Sequence, residues 1–130
     1  MPELTPGLFA EYEHIVTETD TAAAWGSGGL PVFSTPALVG LMESAAVIAL
    51  RGCLPPGQET VGGRIDVHHL AATPVGMQVR SRAELTAIEG RKLVFKVQAW
   101  DEFELIGEAV HERFIVDEAR FIAKAGAKVK

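Results

Sequence analysis

The chain has 130 residues, of which 48% are hydrophobic and 22% are charged, and its formal net charge is −5 at pH 7. This mixture fits one globular domain over residues 1–130 and excludes wholesale disorder. The acidic balance and the absence of a dense lysine or arginine cluster argue against nucleic acid as the main partner, and a single cysteine, Cys53, excludes an internal disulfide and a multi-cysteine metal site.

The N-terminal sequence MPELTPGLFAEYEH has no basic segment followed by an apolar core, so it does not have the pattern of a secretory signal. No apolar run approaches the roughly 18 residues that a membrane-spanning helix needs. We therefore expect a cytoplasmic protein without a membrane partner.

The first half of the chain predicts one strand, one loop and one helix. Residues 8–17 alternate loosely between polar and apolar side chains, which favours a strand. Residues 19–31 are rich in glycine and small side chains and predict a mobile loop. A helix is expected from about Pro36 to Leu50 with Thr35 as its N-cap, because a residue before proline avoids the α region and proline suits the first helical turn.

The second half of the chain predicts four strands, over residues 60–72, 75–88, 91–100 and 103–117. The turns between them are short enough for antiparallel neighbours. The closing segment EARFIAKA, residues 118–125, predicts either a short strand or a helical turn. One strand, one apolar helix and four antiparallel strands indicate an α+β protein in which a curved antiparallel sheet wraps around one long central helix, which is the hotdog fold.

The five-stranded sheet of such a fold covers only part of its helix. The remaining apolar helix surface and the sheet edges would then be covered by a second copy of the chain. We therefore expect a homodimer, and further pairing into a dimer of dimers is left open.

One carboxylate, Glu43, interrupts the otherwise apolar helix. Its helix neighbours three and four residues away are valine, glycine and alanine, so any partner must come from another element. An ionised carboxylate buried without partners is costly. Glu43 is therefore either a functional group or a residue on the one solvated stripe of the helix, which also carries Ser44.

The strand that begins near residue 60 offers a partner for this carboxylate. Alternation in GGRIDVHHLAA places Gly63 and His69 on the apolar face that meets the helix, whereas the adjacent His68 faces outward. His69 and Glu43 would form an acid/base pair in which each offsets the burial of the other. The alternative is a structural histidine bonded to a backbone carbonyl, and both interpretations stay open.

Thr35 and the glycine pair Gly62–Gly63 are further candidates. The Thr35 hydroxyl either caps the helix or is available at the helix N-terminus, where a substrate carbonyl would be stabilised. Thr35 lies eight residues before Glu43, about 12 Å along an ideal helix, so the two side chains touch only if the helix start unwinds. Gly62 and Gly63 either let a ligand approach the backbone or form a bulge.

Four other residues are set aside. His14 and His111 lie on separate predicted strands without a carboxylate at metal-ligand spacing, so we expect no metal site. Cys53 is interpreted as structural, and Ser34 as a capping residue rather than a nucleophile, because it is not part of a Gly-x-Ser-x-Gly elbow.

Several motifs between residues 8 and 125 point to one family: VFSTPALVGLMESAA, HLAATPVG, AEL, EGRKL and GEAVHERFIV. Together they resemble the fluoroacetyl-CoA thioesterase family, a branch of the hotdog-fold acyl-CoA thioesterases. The resemblance implies hydrolysis of a small acyl-CoA to a carboxylic acid and free CoA by a homodimer without a metal, with coenzyme A as part of the substrate and no separate cofactor. It places the family's catalytic residues on Thr35, Glu43 and His69, and its glycine at the thioester on Gly62.

In the fluoroacetyl-specific enzyme, the loop before the helix carries phenylalanines that cover the acyl pocket. Here Trp25 and Phe33 are the aromatic residues of that loop, so Phe33 is a candidate substrate-binding residue and the preferred acyl group is left open.

The expected mechanism assigns a role to each catalytic candidate. Glu43 would attack the thioester or activate a water molecule, and His69 would orient the carboxylate or protonate the leaving thiolate. Thr35 would position the substrate or relay a proton. Two other functions are compatible with the sequence. One is hydration of an enoyl thioester by the same acid/base pair, and the other is non-catalytic binding of acyl-CoA.

Overall fold

The structure, a computed structural model, describes residues 3–129. Its elements in chain order are β1 (Phe9–Ile15), a 3₁₀ turn (Glu18–Asp20), α1 (Ala22–Trp25), α2 (Thr35–Ala49), β2 (Gln58–His69), β3 (Gln78–Glu89), β4 (Lys92–Trp100), β5 (Leu105–Asp117) and α3 (Glu118–Gly126). The five strands form one sheet in the order β1-β3-β4-β5-β2, with antiparallel pairing throughout. The predicted α+β hotdog architecture is confirmed.

Period-two alternation builds the inner face of the sheet. On β4, Leu93, Phe95, Val97 and Ala99 all have 0% exposure, and partly or fully exposed side chains, among them two lysines and a glutamine, alternate with them on the outer face. Each large apolar side chain buried in this way contributes about 1.5–3 kcal/mol through removal of its surface from water. This face meets the central helix α2 and forms the hydrophobic core.

Helix α2 begins at Thr35, one residue earlier than the predicted start at Pro36. Ser34 is the N-cap, because its Oγ accepts a hydrogen bond from the Ala37 N–H at 3.1 Å. The prediction that Thr35 caps the helix is therefore wrong, and the interpretation of Ser34 as a capping residue is confirmed. Thr35 is the first helical residue, and its hydroxyl is free for another partner. Gly52, with φ of +77°, reverses the chain shortly after the helix ends.

The sheet covers one side of α2 and leaves the other side open. The helix lies mainly over β1 and β3, and its inward residues Leu38, Met42 and Ala45 are fully buried. The opposite side carries an open stripe that includes exposed Gly40 and Val47, with Glu43 and Ser44 partly exposed between them. We call this surface the open stripe of α2, and it holds one of the candidate catalytic residues.

The predicted boundaries differ from the structure at several points. Strands β2 and β3 both begin at a different residue from the one predicted, and the end of β2 at His69 leaves residues 70–77 as a connection. The segment 118–125 is helical, within α3. The loop 19–31 contains α1, and Thr21 forms a β-bridge with Phe33 that closes it. No helix between residues 3 and 129 combines the length and apolar character needed to cross a membrane.

Candidate active site

Thr35 and His69 meet at the start of α2. The Thr35 Oγ1 lies 2.8 Å from Nδ1 of His69, the last residue of β2. This contact forms because Ser34 takes over the capping role and because strand phase directs His69 inward, as predicted. The two residues line a shallow cleft of about 360 Å³ together with Phe33 and the chain that follows β2. We call this the Thr35–His69 cleft.

The second ring nitrogen of His69 is available for chemistry. Its Nε2 is buried and has no hydrogen-bond partner among residues 3–129. Burial lowers the pKa of His69 below its ordinary value, and the backbone of Ala71 opposes this shift. The imidazole is therefore neutral near pH 7, and an unsatisfied buried nitrogen in a cleft is a position for a substrate or water atom.

Phe33 contributes to the wall of this cleft rather than to an exposed cover. The side chain is 1% exposed and belongs to the core, while its backbone N–H donates to the Thr73 carbonyl at 2.8 Å. Its predicted role in substrate binding stays a prediction.

Glu43 is anchored by an arginine that the sequence analysis did not identify. Nη1 of Arg113 on β5 donates to Glu43 Oε2 at 3.1 Å, and the Glu43 side chain is 40% exposed. Glu43 therefore lies on the open stripe, as the alternative interpretation expected, but it is paired there. The predicted pairing of Glu43 with His69 does not form within the chain, because the nearer partners come from β5 rather than from the end of β2.

Arg113 is buried, and other protein groups accept hydrogen bonds from its guanidinium group. Its Nε donates to Thr60 Oγ1 at 3.0 Å, and its Nη2 donates to the Thr60 carbonyl at 3.2 Å. A buried charge needs such partners, and the carboxylate supplies the compensating charge. The signal for this residue was present in the alternation of β5, which places Ala109, His111, Arg113 and Ile115 on one face.

His111 lies beside this pair and was set aside in the sequence analysis. It is 1% exposed, its Nδ1–H donates to the Arg64 carbonyl at 2.8 Å, and its Nε2 lies 3.2 Å from Nη1 of Arg113 and 4.0 Å from Glu43 Oε2. Burial lowers the pKa of His111, and the Arg113 charge lowers it further. The Arg64 carbonyl, Glu43 and Glu112 act in the opposite direction.

The two glycines have different roles because β2 contains a bulge. The register with β5 shifts between Gly62 and Arg64, so Gly63 is the extra residue. A Cβ on Gly62 would lie 2.5 Å from Glu43 Oε2, whereas a Cβ on Gly63 would overlap the Phe114 ring. The alternation that placed Gly63 on the inner face is therefore wrong at this point, and Gly62 is the glycine under the carboxylate.

Glu43 and the Thr35–His69 cleft are separate within one chain. Glu43 and Arg113 line a second cleft of about 430 Å³ on the open stripe, which shares no residue with the first. The prediction that Thr35 and Glu43 do not touch is consistent with this arrangement.

Residues 16–119 match the family described as the fluoroacetyl-CoA-specific thioesterases, named FlK. The chain belongs to this family. Among its relatives, the fluoroacetyl-CoA thioesterase of Streptantibioticus cattleyicolor is 44% identical over 97 residues, which are 75% of this chain and 70% of that enzyme.

Solved structures agree with this membership in the FlK family. A variant of the fluoroacetyl-CoA thioesterase FlK in complex with acetyl-CoA has a TM-score of 0.93 and 34% identity, covering 98% of this chain and 100% of that one. A Thermus thermophilus protein described as a thioesterase superfamily member has a TM-score of 0.87 and 31% identity, covering 95% of this chain and 92% of that one.

In this member of the FlK family, the two lowered histidine pKa values make stability depend on pH. A histidine whose folded pKa lies below its unfolded value near 6.5 binds its proton more readily in the unfolded chain. We therefore expect the free energy of unfolding to be highest above about pH 6.5 and to fall as the pH is lowered, by at most about 1.4 kcal/mol per pH unit for each histidine.

Urea denaturation of the wild type, His69→Gln and His111→Gln between pH 5 and pH 7.5 checks this expectation. Each substitution should make the pH dependence shallower. A wild-type stability that is constant over this range, or that rises toward pH 5, would contradict the assignment of both histidines as neutral.

Proposed function

We propose that this chain hydrolyses the thioester of a small acyl-CoA, releasing a carboxylic acid and free CoA. Membership in the fluoroacetyl-CoA-specific thioesterase family supports the reaction class. The observation that carries the proposal is the placement of Glu43. This carboxylate lies on the open stripe of α2, and buried Arg113 holds it through Oε2. Its Oε1 makes no hydrogen bond to any of residues 3–129, so this oxygen is free to react.

The chemistry needs a placed nucleophile and a stabilised oxyanion, because a thiolate is a good leaving group. Glu43 either attacks the thioester carbon directly or removes a proton from the attacking water. The C–S bond then breaks, and the Nε2–H of the neutral His69 ring donates a hydrogen bond to the departing sulfur. The proton that the attacking water loses to Glu43 passes to this thiolate and gives free CoA. Thr35 fixes the imidazole through Nδ1, which directs Nε2 toward the reacting atoms. A direct attack would form an acyl anhydride with Glu43, which a water molecule then hydrolyses.

We propose that a homodimer completes the site. Glu43 lies in one cleft and Thr35 with His69 in another, about 12 Å apart along α2, so one chain does not bring them around one carbonyl carbon. The open stripe of α2 is apolar except for Glu43 and Ser44, and β2 is an edge strand of 12 residues. Both are surfaces that a second copy related by a twofold axis would cover. The mass of the assembly in solution would show whether two dimers pair further into a dimer of dimers.

The acyl group and the location of the protein are further parts of the proposal. The substrate is a short acyl-CoA, with coenzyme A as part of the substrate and no separate cofactor. We place the enzyme in the cytoplasm, where CoA thioesters are formed and consumed.

Release of free thiol from acetyl-, propionyl- and fluoroacetyl-CoA tests the proposed reaction. We expect turnover by the wild type on at least one of them and loss of turnover in His69→Ala. In parallel, the absorbance of the conjugated double bond and thioester of an enoyl-CoA is followed, because hydration of the double bond removes this absorbance. Loss of that absorbance without thiol release would indicate hydration instead, and no turnover by a folded wild type on any acyl-CoA would contradict an enzymatic function.

Adjacent residues at the start of α2 give a matched pair of variants. Thr35→Val removes the hydroxyl that contacts His69, so we expect kcat to fall about tenfold, the effect of one hydrogen bond in the transition state. Thr35→Ser should retain most of the activity. Ser34→Ala removes the N-cap instead, and should cost about 0.5–2 kcal/mol of stability with kcat unchanged. Thiol release and urea denaturation of the three variants separate the two roles, and equal kcat in Thr35→Val and the wild type would contradict the role of Thr35.

A further inference from the structure

His111 is a buried polar group that the hydrolysis described above does not use. It comes from β5 and points inward beside Arg113, and only 1% of its surface is exposed. The position is two residues before Arg113 on the same face of the strand, so both side chains reach the region above Gly62. A buried histidine in such a place needs a hydrogen-bond partner for each ring nitrogen.

The partners of His111 determine its tautomer. The Arg64 carbonyl 2.8 Å from Nδ1 can only accept a hydrogen bond, so Nδ1 carries the proton. The guanidinium nitrogen Nη1 of Arg113, 3.2 Å from Nε2, can only donate, so Nε2 presents its lone pair. Both contacts are satisfied by the neutral ring and by only one of its two tautomers.

Nη1 of Arg113 has two N–H groups, and both have an acceptor. One is directed to Glu43 Oε2 at 3.1 Å and the other to His111 Nε2 at 3.2 Å. The remaining guanidinium nitrogens are held by Thr60. The guanidinium plane is thereby fixed from two sides, and the direction of the N–H that binds Glu43 is fixed with it.

We propose that His111 is a positioning residue for hydrolysis, because its unprotonated Nε2 fixes Nη1 of Arg113 and so determines how Glu43 presents its free oxygen. The proposal rests on the proposed catalytic function of Glu43. His111 itself touches neither the substrate nor the reacting atoms in this account.

Protonation of His111 would reverse the arrangement. The charged and polar groups that face the ring are Glu43 from α2, Arg113 and Glu112 from β5, and the Arg64 carbonyl from β2, while β4 contributes the ring of Phe95. A proton on Nε2 removes the acceptor for Nη1 and places a positive charge beside the guanidinium. The same N–H would then compete with Arg113 for Glu43 Oε2, which lies 4.0 Å away. Activity should therefore fall when His111 becomes protonated in acid.

Two substitutions of His111 test this role. His111→Leu removes the acceptor, and we expect kcat for acyl-CoA hydrolysis to fall about tenfold while KM changes less than about threefold. His111→Gln offers an amide oxygen to Arg113 and an N–H to the Arg64 carbonyl, so it should keep kcat within about threefold of the wild type. Because glutamine does not titrate, the acid limb of the kcat profile should also shift to lower pH in this variant.

Leu85→Val serves as the stability control, because Leu85 is fully buried in the apolar core on β3, where its ladder partner is Phe95. It should lose stability without losing kcat. In the wild type, a proton–nitrogen NMR correlation of the imidazole should show His111 protonated at Nδ1 near pH 7.

Different outcomes would overturn the positioning role of His111 and the proposed hydrolysis. A kcat for His111→Leu equal to that of the wild type, or a wild-type ring protonated at Nε2, would overturn the positioning role. If His111→Leu does not fold, the His111→Gln profile and the wild-type spectrum decide the question. If the folded wild type hydrolyses no acyl-CoA, the proposed function fails instead, and the imidazole spectrum still tests how His111 is held.

Discussion

Replacing Glu43 with glutamine should lower kcat for thioester hydrolysis by about 10²–10⁴-fold, the range that a positioned acid/base group supplies. Glutamine keeps the length of the side chain, and its amide oxygen can still accept the hydrogen bond from Nη1 of Arg113. It cannot accept a proton from water, and it is not a nucleophile toward a thioester. The loss is therefore expected in kcat rather than in KM.

The neighbouring residue provides the control for this substitution. Ser44 shares the open stripe with Glu43, and its hydroxyl donates to the Gly40 carbonyl at 2.9 Å. Ser44→Ala should leave kcat within about twofold of the wild type, since most surface substitutions have small effects. Thiol release measures both variants, and thermal unfolding verifies that both are folded. Wild-type activity in Glu43→Gln would eliminate the carboxylate from the mechanism.

Replacing Gly62 with alanine should lower kcat by about 100-fold, because a displacement of about 1 Å at a catalytic group costs a factor of this size. The new Cβ would lie 2.5 Å from Glu43 Oε2 and 3.4 Å from both Arg113 Nη1 and His111 Cε1. The carboxylate is the end of a flexible side chain, so it moves away without a shift of the backbone. The same movement takes it out of the position that Arg113 and His111 define.

Gly63→Ala is the matched control, one residue along the same strand. Its Cβ would overlap the Phe114 ring rather than the carboxylate, and neither glycine has a positive φ that alanine would strain. We expect a loss of about 1–3 kcal/mol in the free energy of unfolding from overpacking, with kcat nearly unchanged. The two alanine variants should therefore separate activity from stability. Equal kcat values in both variants would contradict the placement of Gly62 beneath Glu43.

Much of the fold could be predicted because local patterns and tertiary packing agree. Alternating apolar residues in KLVFKVQAW predicted β4 and its buried face, and the apolar helix predicted a sheet wrapped around it. His69 was placed on the inner face by the same alternation, and the structure directs it there. The predictions for β4 and for His69 depend only on the period of two residues along a strand.

The rest of the site depends on features that alternation alone does not contain. The bulge between Gly62 and Arg64 reverses the phase of β2, so the inward glycine was assigned to the wrong residue. Two charged or titratable residues on β5, His111 and Arg113, are buried on the inner face, where polarity alone would not place them. Their alternation with Ala109 and Ile115 was visible in the sequence, but the carboxylate that compensates Arg113 comes from a helix 70 residues earlier.

The N-cap of α2 also could not be predicted from the local sequence alone. Both Ser34 and Thr35 are good capping residues, and proline at the next position favoured Thr35 as the cap. The choice is made by the loop that precedes the helix, in which the Ser34 N–H donates to the Asp20 carbonyl at 2.9 Å. This contact fixes Ser34 outside the helix and leaves the Thr35 hydroxyl for His69.

The central claim is that Glu43 of one chain acts with Thr35 and His69 of a second copy. Mixing the Glu43→Gln and His69→Ala proteins after unfolding and refolding them together tests it most directly, with each variant refolded alone as the control. If the site is shared, each mixed dimer contains one intact site and one site with both substitutions. Activity should then return to about a quarter of the wild-type value in a statistical mixture. If the site belongs to one chain, every site in the mixture carries a substitution, and activity that stays at the level of the separate variants would contradict the account.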